Sequence, residues 1–519
     1  MMLSKYLYGN ISSTPQGLTP WWESAAGGDF AHSVATVTIA ANDAPYKQKM
    51  SADVICDGVN DEIEIRAAIT DAATDGGGFI QLTEGIFNFE ATAPSTIAGL
   101  SNLIFAGRGQ KTIIRGKDLG TGNANNLLKF STTNNVIFRD MKIDINGNDR
   151  YGGITFQGGS RIWINNVSVV DGAPKSSPSV DKYSFLFTSN ATDDVWFTNN
   201  TIDGCQPEFS RATNLVLSGN ILKNCIQTTV LPLLALGASQ TVENMVIANN
   251  HIIVDDNSIL GSKDIGLISI AVDANTLSGT VNKKIIIRDN FLRYTTNGAA
   301  AILIGTTSSG SPGGATKPIL NDIVISGNHI VYDNDENPGA SNAAILINNN
   351  SSVSAYDLDR IIIKKNYIKG NNSGGMTGII TSDADHCEIS RNIVEGCTYG
   401  YSFRGMKDSR FFRNSALNCV TTGFDYFSTR GGNIFRDNDV YGTTIASTPY
   451  NFRASNSNDK IIPFIPTAPS ADLEDATNQY KFIKTTDAAL QFSTLSIIDS
   501  ITHGNSVSSA TEANTLMKI

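Results

Sequence analysis

Apolar and polar residues alternate along much of the chain, and one phrase keeps returning. "MVIANNHI" around 250 and "IVISGNHI" around 328 both read apolar, any, apolar, two small or polar residues, Asn, any, Ile. Aligned on the apolar-x-apolar pair, Asn falls five residues after its first member. This gives Asn200, Asn220, Asn250, Asn290, Asn328, Asn366, Asn392, Asn414 and Asn438, at intervals of 20, 30, 40, 38, 38, 26, 22 and 24. Two earlier copies, "VIFRDMKI" and "IWINNVSV", put Met141 and Val167 in the Asn column. A second apolar run accompanies the phrase, as in "GGITF" (152–156), "GLISI" (266–270), "AAILI" (300–304 and 343–347) and "TGFDYF" (422–427).

Short alternating runs bounded by Gly and Asn predict strands. A repeat of this length predicts a solenoid, whose bare coil is the shortest interval and whose longer intervals carry inserted loops. Coils stacked about 4.8 Å apart in parallel turn equivalent residues into columns. Met141 and Val167 share the Asn column, so it points inward, and a stack of Asn amides can satisfy its own hydrogen bonds. The fold read from this pattern is all-β, a right-handed parallel β-helix.

Such a column needs capped ends. In "NDEIEIRAAITDAATDGGG" (60–78), Asp61 and Glu64 have capping-box spacing, and Ile65, Ala68, Ile69 and Ala72 make a helical stripe. A cap helix is expected over 61–73, stopped by Gly76–Gly78. Three regions follow. Residues 1–45, Gly/Ser/Thr-rich with Trp21-Trp22, read as an arm or particle-docking segment; 46–452 are the β-helix with its cap; 453–519 are a terminal cap or oligomerisation region.

Composition narrows the partners. A net charge of −10 over 519 residues argues against a nucleic-acid footprint. No apolar run is long enough to span a membrane, and the first residues lack the apolar core of a signal peptide. The expected location is therefore the cytoplasm or, by assembly into a particle, outside the cell.

The stretch 52–89 carries Asp57-Gly58, the 61–73 helix pattern, Gly76–Gly78, "FIQL" and Gly85–Phe87. It resembles the opening of pectate-lyase-like right-handed parallel β-helices, in particular those of bacteriophage tailspikes. The resemblance covers roughly residues 50–445. It implies binding or cleavage of a cell-surface glycan, a homotrimer on a virion with other tail proteins as partners, and a virion or extracellular location. Two other readings stay open: a free polysaccharide lyase or glycoside hydrolase, and a non-catalytic structural protein of a particle.

Of the motifs of enzymatic relatives, neither Gly-His-Gly nor Asp-Pro-His occurs, and Arg-x-Lys occurs only as Arg115-Gly116-Lys117 in the early coils. His251 and His329 each follow a ladder Asn and should face outward. Carboxylates remain the candidates, because two in one column on adjacent or alternate coils approach the separations of retaining or inverting glycosidases. Asp203, Glu208, Asp255 and Asp273 are the candidate catalytic residues, the first two near Arg211 and Lys223. Asp256, Arg404, Asp425, Tyr401 and Tyr426 are the candidate glycan contacts, with the rings stacking on sugars; Asp383 and Phe427 flank them. Spacing indicates no zinc cluster and no metal ligands; calcium, as in pectate lyases, would need several converging oxygens. Long loops after the second strand in the coils between Asn220 and Asn366 should stack into a wall beside Asp255, Asp256 and Asp273. Cys205, Cys225, Cys397 and Cys419 share one register. Their spacing permits disulfides, while the packing habit of Cys favours reduced, buried thiols.

Overall fold

A computed structural model of the protein describes the chain from 37 to 493 apart from 91–94, 100, 118–126, 147–152, 171–182, 188–191, 210–211, 225–230, 236–241, 255–264, 273–280, 295–298, 306–318, 334–341, 349–356, 372–374, 428–429, 442–447, 454–459, 463–480 and 485–489. The chain forms two compact units, one of residues 1–227 and 241–251, the other of 228–240 and 252–519. In each, parallel strands stack into three faces, the arrangement of a right-handed parallel β-helix.

In the first unit, Val37–Ala40 lies between Val54–Ile55 and Gly78–Leu82, parallel to both. The first face continues through Ser101–Ala106 into Leu128–Asp144 and Ile154–Val170, two strands of 17 residues that serve all three faces. Left-handed residues, among them Thr132, Asn135 and Asp140, turn the first of these from face to face. Thr192–Thr198, Ala212–Ser218 and Val242–Ala248 extend the same face. The second face ends with Thr201–Asp203 and Ile221–Lys223, the third with Tyr183–Phe187 and Gln206–Phe209. Register turns the inward residues into columns. Phe130, Phe156, Phe187 and Phe209 stack with centroids 5.1, 5.1 and 4.9 Å apart. Each such pair adds about 0.5–1.5 kcal/mol beyond area burial.

The cap helix runs Glu62–Thr74 and buries the expected Ile65, Ala68, Ile69 and Ala72. The capping box does not form. Asp61 is fully buried, and its carboxylate accepts instead from the N–H groups of Gly58 (2.8 Å) and Asn88 (2.7 Å), tying turn and second face to the helix start. At the other end, Gly76 and Gly77 N–H donate to the Ala73 and Ala72 carbonyls. Gly77 has φ 123°, and an added Cβ would lie 2.3 Å from the Asn102 carbonyl, so only glycine fits.

In the second unit, the first face runs from Val281–Arg288 through Ile319–Ser326 and Asp357–Lys364 to Lys460–Ile462, and the second from Phe291–Tyr294 to Asp439–Tyr441. The third face comprises Leu231–Ala235, Ile265–Val272, Ala299–Gly305, Asn342–Asn348, Met376–Ser382, Tyr399–Arg404, Thr422–Phe427 and Thr448–Arg453. Its last strand pairs antiparallel with Leu490–Ser493, which pairs antiparallel with Lys481–Lys484.

All nine phrase asparagines are buried, at 2% exposure or less. Between Asn328 and Asn438 each Nδ2 donates to the next Oδ1, as in Asn328→Asn366 (2.9 Å) and Asn366→Asn392 (2.9 Å), and to the carbonyl of a preceding first-face strand. The first unit does the same from Asn200 to Asn250, and Val167 N–H donates to Asn200 Oδ1. The residue before every ladder Asn is left-handed, including Lys365, Arg391 and Arg413. That bend turns the Asn inward and explains the small or polar residue in the phrase. His251 and His329 face outward, as expected. Cys56, Cys205, Cys387, Cys397 and Cys419 are buried free thiols; Cys225 lies outside the described residues.

Candidate functional site

On the third face of the second unit, inward residues alternate with two outward columns. Tyr401, Phe403, Phe424 and Tyr426 point in and are fully buried. Outward run Ile380, Ser402, Asp425 and Asn451 in one register, and Ser382, Arg404 and Phe427 in the next. Arg404 is exposed and Phe427 is 41% exposed. Arg404 Nε donates to Ser402 Oγ (3.3 Å), and Asn451 Nδ2 donates to Asp425 Oδ1 (2.9 Å). The surface therefore offers a guanidinium and a ring, braced by polar groups beneath.

Beside these columns the chain turns toward the first face, and the turn is charged. Asp383 N–H donates to the Arg404 carbonyl (2.9 Å), and the Asp383 side chain lies over Gly405, where a Cβ would sit 2.0 Å from Oδ1. Arg430 reaches the Asp385 carboxylate (2.8 Å) and the Gly405 carbonyl (3.2 Å). Burial pushes the carboxyl of Asp383 above its usual range, against the pull of Arg430, and Asp385 adds repulsion. Burial raises Asp385 likewise, opposed by Arg430 and Lys407. Asp359 is the register partner of Asp385 one coil earlier, and it accepts from Arg360 and lies 2.8 Å from His386 Nδ1. Carboxylates, guanidinia and an exposed ring on a rigid sheet can hydrogen-bond hydroxyls and stack on a sugar face.

The sequence candidates fare unevenly. Tyr401 and Tyr426 cannot stack on a ligand: both rings are at 0% exposure, and Tyr401 OH donates to the Asn392 and Ser415 carbonyls. An apolar run with a Tyr at the inward parity is core, and parity is invisible until the register is known. Asp425 is outward but only 5% exposed, which makes it a support rather than a contact. Arg404 is exposed on the outward column, bonded to Ser402, the register neighbour of Asp425, and to Asp383 through the backbone. Asp203 and Glu208 are not brought together. Asp203 is an exposed second-face residue opposite Lys223, and Glu208 projects from the third face opposite Leu186, around the corner at Gly204. Asp255, Asp256, Asp273, Arg211 and most of the four long loops lie outside the described residues.

Reading by sequence missed two groupings. The corner set of Asp359, Asp385, His386, Lys407 and Arg430 spans 72 positions and shows no local spacing; Asp359, Asp385 and Lys407 share one register, and His386 and Arg430 lie one residue from it. Cys56, Asp61 and Glu64 converge in the first unit, their ligand atoms all within 4.8 Å of one another. A Cys-x4-Asp-x2-Glu spacing matches no familiar metal pattern.

No family model and no curated protein matches the chain. Solved structures do. A mutant of the tailspike protein of E. coli bacteriophage HK620, in complex with a pentasaccharide, matches with TM-score 0.50 and 12% identity over 74% of this chain and 69% of that one. The A-module of a mannuronan C-5 epimerase from Azotobacter vinelandii gives TM-score 0.42, 16% identity, 78% and 97%. The Streptococcus pneumoniae surface protein and adhesin PfbA gives TM-score 0.45, 13% identity, 70% and 94%. Stacked parallel coils, the inward Asn ladder and the tailspike likeness agree, and the chain has the right-handed parallel β-helix fold.

Proposed function

We propose that the protein binds a polysaccharide along the outward third face of its second unit, with Arg404 and Phe427 as contacts and the Asp383–Asp385–Arg430 corner as its polar wall. The observation that carries this reading is the pairing of an exposed ring and guanidinium in one outward column, supported from beneath by Ser402, Asp425 and Asn451. The likeness to a tailspike solved with a pentasaccharide supports it. The finer reading is a homotrimeric virion tail spike that binds a host surface polysaccharide, with or without cleaving it, alongside other tail proteins. A free lyase or hydrolase and a structural particle protein are the competing readings.

Full-length protein tested against extracted surface polysaccharides should bind at least one. Arg404→Ala and Phe427→Ala should each weaken binding by roughly tenfold, the loss of about 1.4 kcal/mol. Product release from the bound polysaccharide separates cleavage from binding alone. Unchanged binding by both folded variants would move the site off this face. Light scattering that shows a stable monomer would remove the trimeric spike while leaving glycan binding standing.

A further inference from the structure

Among the described cysteines, Cys56 stands apart. Cys205, Cys387, Cys397 and Cys419 each direct the thiol to a backbone carbonyl, at 3.8, 3.4, 3.7 and 3.8 Å. Cys56 is 1% exposed and makes no such bond; it faces Asp61, at 0% exposure, and Glu64. Glu64 Oε2 is buried without a hydrogen-bond donor. Two acids and a thiol thus converge, Cys56 and Asp61 buried and Glu64 half-buried, with one Glu64 oxygen buried and unanswered. A buried acceptor in that position costs about 1–3 kcal/mol unless something satisfies it.

The first coil holds the three in place. Cys56 N–H donates to the Ala40 carbonyl, fixing it to the first strand, and Asp61 is held by the Gly58 and Asn88 N–H groups. Glu64 projects from the first turn of the cap helix. Burial, then Asp61 and Glu64, push the Cys56 thiol up, and Asp61 is raised by burial as well. A cation held among the three would offset the mutual repulsion of their ionised forms and give the unanswered Glu64 oxygen a partner. Bond lengths of about 2.0–2.3 Å put tetrahedral ligands roughly 3.5 Å apart, which side chains already within 4.8 Å reach by small rotations.

We propose that Cys56, Asp61 and Glu64 form a binding site for one thiophilic divalent cation of the zinc type, clasping the cap helix to the first coil. Sulfur with two carboxylate oxygens is the donor set of such an ion and not of Ca²⁺ or Mg²⁺, which take oxygen alone. On binding, the thiol proton leaves to solvent as the sulfur–metal bond forms, and a water completes four-coordination.

The test is a Cd²⁺ titration of metal-stripped full-length protein, read by thiolate-to-metal charge-transfer absorption. One equivalent should produce the band, and Zn²⁺ should displace it and raise Tm by several degrees. Cys56→Ser should abolish the band although five cysteines remain. Glu64→Gln should weaken Cd²⁺ binding at least about tenfold, the cost seen even for outer-shell losses. No band in excess Cd²⁺, a band retained by Cys56→Ser, or an equal Tm gain from Ca²⁺ would overturn the site. If Cys56→Ser does not fold, unchanged Cd²⁺ affinity in Glu64→Gln does so.

Discussion

At the residue scale, the ladder asparagines are core residues that happen to be polar. Asn366 accepts from Asn328, donates to Asn392 and to the Ile325 carbonyl, and is 1% exposed. Alanine there leaves an amide and a carbonyl buried without partners, at about 1–3 kcal/mol each. Asn366→Ala should therefore lower stability by about 2–4 kcal/mol in denaturant unfolding, while exposed Lys369→Ala stays within about 0.5 kcal/mol. An Asn366→Ala cost as small as that of Lys369→Ala would show the ladder to be ornamental. Asp383 makes the opposite case. Its folded-state carboxyl is raised by burial, so the folded protein binds that proton more tightly than the unfolded chain. The ionised form costs stability above the folded pKa; the cost fades as pH falls through that value and is gone below the unfolded value near 4. Asp383→Asn should stabilise the protein at pH 7 relative to wild type and lose that advantage by about pH 4; Asn also suits the left-handed backbone there. An advantage equal at both pH values would contradict the burial account.

At the element scale, the cap helix shows how a solenoid closes its apolar end. Its buried stripe of Ile65, Ala68, Ile69 and Ala72 was legible as an i, i+3, i+4 pattern, because helical periodicity is a local property. The use of Asp61 was not. Spacing pointed to a capping box, and the carboxylate went to Asn88, 27 residues away, because burial left it facing the second face. Ile69→Ala should cost about 2–4 kcal/mol through the cavity it leaves, whereas Ile63→Ala, 56% exposed, should cost little. Equal effects in thermal or denaturant unfolding would mean that the helix does not cover the core as described. The strand corners follow similar logic: Gly, Asn or Asp supplies the left-handed turn at many of them, and where Lys365, Arg391 and Arg413 do so instead, the adjacent Asn ladder holds the bend.

At the scale of the whole molecule, the sequence by itself determined the fold class, the repeat, the inward Asn column, the cap helix and the outward histidines. Each follows from periodicity, which the chain carries locally and repeats many times. Tertiary structure decided which residues meet. Register placed Tyr401 and Tyr426 in the core and Arg404 and Phe427 outside, a matter of one residue in parity. It gathered Asp359, Asp385, Lys407 and Arg430 at one corner, and separated Asp203 from Glu208 around another. The turn into the cap helix, not register, brought Cys56 to Asp61 and Glu64. Stacking coils makes neighbours of residues 20 to 40 positions apart, and no local pattern records which outward side chains then share a column. The core was readable because every coil needs the same apolar interior; the third-face site was not, because it depends on a single alignment between coils.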